Sequence, residues 1–126
     1  LYSMGEIRER YDLAPRRHAQ EILPMIDSLL AEAGISKRAI DAIAVGRGPG
    51  AFTGVRLAIS TAQGLALALD RPVLPISSLA ALAEGAREDV PPGTPILAAI
   101  DARMGELYAG LYRTAADGQF RLLGDE

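Results

Sequence analysis

The stretch whose residue types could carry chemistry is Gly46-Arg47-Gly48-Pro49-Gly50-Ala51-Phe52-Thr53-Gly54-Val55-Arg56. It joins a short apolar run, Ala42 to Val45, to a long Ala-rich apolar segment, Leu57 to Leu69. Strand, glycine-rich turn and helix is the order in which α/β proteins set backbone amides beside an anion or a close neighbour. The loop nevertheless fits no nucleotide fingerprint. It lacks Gly-Lys-Ser/Thr, and its glycines fall as GxGxxxG where a dinucleotide site needs GxGxxG. Spacing alone favours a structural tight turn over a phosphate cradle.

Other reactive side chains are few. His18 is the sole histidine. It sits beside Arg17 at an expected helix start, where a cap or surface role outweighs a base or a metal ligand. Ser77 and Ser78 follow an apolar strand, but their neighbours Ile76 and Leu79 are not the glycines a nucleophile elbow requires, so capping is expected. Asp101-Ala102-Arg103-Met104-Gly105-Glu106 closes a third apolar run. Two carboxylates and an arginine there could form an acid/base site, or Arg103 could pair Asp101 or Glu106 across a turn.

The elements that must position these residues follow from periodicity. Glu6 to Tyr11 alternates as a half-exposed strand. Ala14-Pro15-Arg16-Arg17 is expected to turn into a helix whose apolar positions run from Ile22 to Ala33, stopped by Gly34, with Pro24 bending it or delaying its start. Ser36 should cap a short turn through Ile40. Strand 42–45, helix 52–69, strand 72–76, a helix from Ser77 or Ser78 to about Ala86, a proline-rich loop 88–95 and strand 96–100 come next. A turn 101–105, strand 106–112, and a hairpin at Ala116-Asp117-Gly118 into 119–123 complete the chain. The alternation predicts a mainly parallel central sheet with antiparallel strands toward its ends.

The helix 52–69 carries two apolar stripes. Val55, Ala58, Ile59, Ala62, Leu65, Ala66 and Leu69 should face the sheet. Leu57, Thr61, Gly64 and Ala68 form a second row, covered either by a neighbouring helix of the same chain or by another protein. The sharper version is a docking face shared with the helix bearing Met25 and Leu29.

Composition narrows the function classes. The chain has 126 residues, 49% hydrophobic and 23% charged, with a net charge of −3. That acidity argues against an autonomous nucleic-acid binder. No cysteine is present, which removes disulfides, thiol catalysis and Cys-based metal sites. Arg56, Gln63 and Asp70 are expected to keep the longest apolar segment from spanning a bilayer. Leu1-Tyr2-Ser3-Met4 does not read as a signal peptide. A cytoplasmic fragment is expected.

Four motifs then carry a resemblance. Arg17-His18-Ala19-Gln20-Glu21-Ile22-Leu23-Pro24-Met25-Ile26, Gly48-Pro49-Gly50-Ala51-Phe52-Thr53-Gly54-Val55-Arg56, Ser77-Ser78-Leu79-Ala80-Ala81-Leu82 and Asp101-Ala102-Arg103-Met104-Gly105-Glu106-Leu107-Tyr108 together resemble the TsaB family, also called YeaZ. The resemblance implies an actin-like ATPase, sugar kinase and Hsp70 (ribonuclease H-like, ASKHA) fold. It implies a non-catalytic subunit that pairs with its paralogue TsaD and works with the ATPase TsaE. Together they make N6-threonylcarbamoyladenosine at position 37 of ANN-decoding tRNAs, so tRNA is met only through the complex. A homodimer through the same helices is implied when TsaD is absent.

The His-x-x-x-His metal pair of TsaD aligns with Ser78 and Leu82, and its Ser-Gly-Gly-His phosphate turn with Asp101 to Met104. Leu82 has no lone pair to offer a metal, and the Asp101 carboxylate would repel a phosphate. No metal or cofactor is therefore expected, and residual nucleotide binding at Gly48, Pro49, Gly50, Thr53, Gly54 and Arg56 is disfavoured. The resemblance also implies that residues 1–126 are most of an N-terminal domain. Its opening strand would precede Leu1 and a second domain would follow Glu126. Two other readings stay open: an enzyme in its own right, cleaving TsaD or hydrolysing ATP weakly, and an unrelated small-molecule-binding α/β module.

Overall fold

The computed structural model describes residues 1–13 and 17–125, so the turn expected around Pro15 lies outside the described residues. Its elements are β1 (Tyr2–Ser3), β2 (Glu6–Ile7), α1 (His18–Ala33), β3 (Ile43–Gly48), α2 (Phe52–Leu69), β4 (Val73–Ser77), α3 (Ser78–Gly85), β5 (Ile96–Arg103), β6 (Glu106–Thr114) and β7 (Phe120–Leu122). Short 3-10 turns occupy Lys37–Ala39 and Arg87–Asp89.

The expected antiparallel strands are present toward both ends of the chain, but the parallel part is smaller than expected. Among the described residues only β3 and β4 pair in parallel. β1 and β2 form an antiparallel hairpin, and β5, β6 and β7 an antiparallel meander, each a separate ladder. Alternating strands and helices encode crossover connections, but they do not state which strands become neighbours. The strand expected over 6–11 stops at Ile7, because its partner is the two-residue β1 across a Met4-Gly5 turn. Met4 and Gly5 have φ of 50° and 81°, the left-handed pair that a tight hairpin demands.

Helix ends follow capping chemistry with one surprise. α1 stops at Gly34, φ 66°, whose N–H and that of Ile35 satisfy the Ala31 and Leu30 carbonyls. Pro24 lies inside α1 and neither starts nor delays it. α2 stops in the same left-handed geometry at Asp70, φ 52°, with Arg71 N–H on the Ala66 carbonyl at 3.0 Å. An aspartate fills a place that glycine takes at no steric cost. Ser77 caps α3 through its hydroxyl, which accepts from Leu79 N–H at 3.2 Å and Ala80 N–H at 3.3 Å. Ser36 occupies the cap position of the first 3-10 turn, but its side chain makes no cap bond; its carbonyl accepts from Ala39 N–H instead.

Two packing centres result. One is α2 on β3 and β4, where Ala62 and Ala66 of the first apolar stripe are buried. The other is α3 on β5 and β6, built from Leu79, Ala83, Ala98 and Tyr112. Tyr112 stacks on Phe120 with centroids 5.4 Å apart. Its ring occupies the space over Gly110, where an added Cβ would meet Cε2 at 2.8 Å.

α2 also corrects the bilayer expectation. At 18 residues with mean hydropathy 1.3 it is long and apolar enough to cross a membrane. Arg56 and Gln63 are too few to lower that average, and Asp70 falls outside the helix. Ala62 and Ala66 are its buried residues, packed on β3 and β4.

Leu79 is 1% exposed at the centre of the second core, so Leu79→Ala should cost about 2–5 kcal/mol. Asp70→Gly should raise stability by about 0.5–1 kcal/mol by relieving the left-handed residue. Urea unfolding with matched m-values checks both.

Candidate functional site

The glycine segment splits between two elements. β3 runs on through Gly46 and Gly48, with a register shift opposite β4, so the turn proper is only Pro49 to Ala51. The expected loop is shorter because Gly46 and Arg47 keep extended backbone. Gly48 is buried with φ 94°, and the Gly48–Pro49 peptide is cis. A Cβ at Gly48 would lie 3.6 Å from Val55 Cγ2, and one at Gly50 would lie 3.3 Å from the same methyl. The turn therefore folds back onto the first turn of α2, and Val55 N–H bonds the Ala51 carbonyl at 2.9 Å. The left-handed backbone explains Gly48 and the close approach of Val55 explains Gly50, without a ligand.

Gly54 is different. Nothing lies within 4 Å of its missing Cβ, and its φ is not in the left-handed range. It lines a groove of about 300 Å³ between α1 and α2, with His18, Glu21, Met25, Leu57 and Ala58 among the other walls. Thr53 is exposed in the first turn of α2. The Arg56 guanidinium sits 3.9 Å from the Phe52 ring centroid, and Phe52 is 71% exposed. Arg56 thus covers an outward aromatic face through a cation–π contact.

The second stripe of α2 emerges from this groove onto the surface. Leu57 and Thr61 are half-buried, while Gly64 and Ala68 are exposed. A Cβ on Gly64 would meet nothing within 4 Å, so no described helix packs closely there. Met25 and Leu29, both half-buried on α1, belong to the same side of the molecule as far as Met25 shares the groove with Leu57. Sequence reasoning missed Phe52 and Leu67, which is 87% exposed. Their signal was there: a helix apolar on three sides cannot bury all of them against one sheet.

The remaining candidates are not brought together as a reaction centre. Asp101 accepts from the Arg103 backbone N–H at 2.7 Å, a local turn bond, while Arg103 stands opposite Glu106 in the hairpin register. Strand β5 runs through this point to Arg103, so the expected five-residue turn shrinks to Met104-Gly105. Ser78 opens α3 and Leu82 lies one turn further, 52% exposed. Among the described residues no group of three or more His, Cys, Asp or Glu side chains is placed to hold a metal ion.

Comparison with known proteins adds a separate line. The profile of the family described as TsaD, tRNA N6-adenosine threonylcarbamoyltransferase, matches residues 11–125. The Escherichia coli tRNA threonylcarbamoyladenosine biosynthesis protein TsaB is 46% identical over 119 residues, covering 94% of this chain and 51% of that protein. The tRNA N6-adenosine threonylcarbamoyltransferase of Herminiimonas arsenicoxydans is 34% identical over 131 residues, covering 99% of this chain and 37% of that one. The solved structure of YeaZ from Pseudomonas aeruginosa superposes with a TM-score of 0.86 at 52% identity, covering 98% of this chain and 57% of that one. The chain spans about half the length of the curated TsaB relatives it matches.

The glycines of the turn and of the groove should separate on mutation. Gly48→Ala should lose at least about 1–2 kcal/mol, because its backbone is strained for any L side chain. Gly54→Ala should be neutral or gain up to about 1 kcal/mol, because it adds a methyl to a helix in open space. Denaturant midpoints of the two variants test the assignment.

Proposed function

From the premise that the chain belongs to the TsaD family, and within it to the TsaB (YeaZ) group, we propose that it serves as a non-catalytic subunit in N6-threonylcarbamoylation of tRNA. In this reading it docks on a TsaD-type catalytic paralogue through Met25 and Leu29 of α1 and Leu57, Thr61, Gly64 and Ala68 of α2. The observation that carries the reading is the second stripe of α2, apolar and open to solvent at Gly64 and Ala68. Small residues there let a partner helix approach closely, and a standard interface would bury about 800 Å² on each side.

The absent chemistry supports the same role. Ser78 and Leu82 stand where the catalytic paralogue carries its metal-binding histidines, and a hydroxyl with an isobutyl group cannot replace two imidazoles. The left-handed backbone of Gly48 and the approach of Val55 to Gly50 support reading this segment as a structural turn rather than a nucleotide cradle. Arg56 and Phe52 form an outward pair at the edge of the docking face.

The finer features follow from the family. The fold is the ASKHA type, with residues 1–126 as most of its N-terminal domain, an opening strand ahead of Leu1 and a second domain after Glu126. The ATPase TsaE joins the pair, tRNA is met through the complex, and the setting is cytoplasmic. When the paralogue is missing, the same face closes a symmetric homodimer.

Gly64→Arg places a long charged side chain on the docking face without touching the rest of this chain, since its Cβ direction is open. Light scattering of the mixed subunits should show complex formation weakened by about tenfold or more, with unchanged circular dichroism. No complex with the native chain, or full affinity in the variant, would refute the docking assignment.

A further inference from the structure

α2 carries a single charge. Among its 18 residues there is no Asp, Glu, Lys or His, and Arg56 is the sole arginine. A helix that keeps one side in water ordinarily spreads charged residues along that side. Here the exposed row is Phe52, Arg56, Ser60 and Leu67, beside the stripe that ends in Gly64 and Ala68.

Arg56 also lacks an anion. Arg8, Arg10, Arg17, Lys37, Arg87 and Arg121 each pair with a carboxylate of this chain. Among the described residues Arg56 makes no hydrogen bond or ion pair, and its contact is the Phe52 ring, 3.9 Å from the guanidinium carbon. Stacking holds the planar group by its face and leaves its N–H edge free. That edge matches the two oxygens of a carboxylate.

Burial decides what the edge must meet. When α2 docks as proposed above, Arg56 leaves water together with the apolar residues around it. A buried charge without a partner is strongly unfavourable, so the covering surface has to supply an anion.

We propose that the Phe52–Arg56 pair is the specificity-determining element of the docking face, and that its occupant is an Asp or Glu side chain of the TsaD-type paralogue. A carboxylate fits better than a nucleic-acid phosphate. A phosphate backbone is held by several cations, and this row offers one, set between exposed apolar side chains. Arg56 binds the carboxylate directly. Phe52 is a positioning residue: it fixes the guanidinium before the partner arrives and so reduces the ordering cost of the contact. A neutral or basic surface of the same shape is rejected, because it leaves Arg56 buried and unpaired. The inference rests on the docking reading and adds to it the charge of the partner.

The test measures complex formation between this chain and the TsaD-type paralogue by light scattering at low and high salt, with Gly64→Arg as the control for docking. Arg56→Met keeps an apolar stem and removes the charge, so it should weaken the complex about tenfold or more and flatten its salt dependence. Arg56→Lys should retain the salt dependence but bind about fivefold less tightly, because an ammonium lacks the fork. Phe52→Leu should weaken binding about threefold with the salt dependence retained. Both residues are exposed, so circular dichroism of the free variants should not change. Native affinity in Arg56→Met, alongside loss of the complex in Gly64→Arg, would overturn this proposal and leave the docking reading standing. Weakening by Arg56→Met with the native salt dependence would overturn it in favour of apolar packing. Native subunit affinity in Arg56→Met with loss of tRNA binding by the assembled pair would overturn it in favour of a phosphate. No complex with the native chain would remove both readings.

Discussion

The packing of α2 on β3 and β4 is the contact on which the rest of the structure depends. A two-stranded ladder can cover one stripe of an 18-residue helix, and here the stripe centres on Ala62 and Ala66. Small side chains at those positions bring the helix close to the strands. That closeness fixes the start of α2 over the end of β3, so the chain must reverse within Pro49 to Ala51. Gly48 meets the demand with a left-handed backbone and Gly50 by giving Val55 room. The same geometry leaves Phe52, Gly64, Leu67 and Ala68 facing outward. The glycine turn and the apolar face are thus two consequences of one contact.

The second packing centre is smaller and built differently. α3 has only Leu79 and Ala83 deeply buried, against Ala98 and Tyr112. Tyr112 reaches that core because Gly110 leaves space beside the strand for its ring, and Phe120 supports the ring from β7. Around this core the strands still expose Leu74, Leu97 and Leu107. Exposed strand leucines and an open β3 edge fit a chain that spans about half the length of its curated relatives.

Much of this was legible in the sequence, and the failures have physical causes. The bounds of α2 follow from its apolar period, and the end of α1 from Gly34. The Ser77 cap follows from a serine placed between strand and helix. Asp70 could not be foreseen as a left-handed stop, since composition marks such sites by glycine. The antiparallel strands toward the ends were expected, but the extent of the parallel part was hidden, because pairing is set by tertiary contacts, and it is the single pair β3 and β4. The turn was overestimated because glycines can also be extended, as Gly46 is within β3. At the candidate site the second stripe was readable from helical spacing. That Gly64 looks onto empty space required coordinates, because spacing cannot say what stands opposite a helix face. The adjoining Leu67 was missed for the same reason.

The central claim is that this chain contributes contact, not chemistry, to a tRNA-modifying assembly. The most direct measurement is the threonylcarbamoyladenosine content of tRNA, by nucleoside mass spectrometry, in cells from which the gene for this protein has been deleted. The account predicts that the modified nucleoside falls sharply and returns when the gene is restored. Normal content after deletion would contradict it.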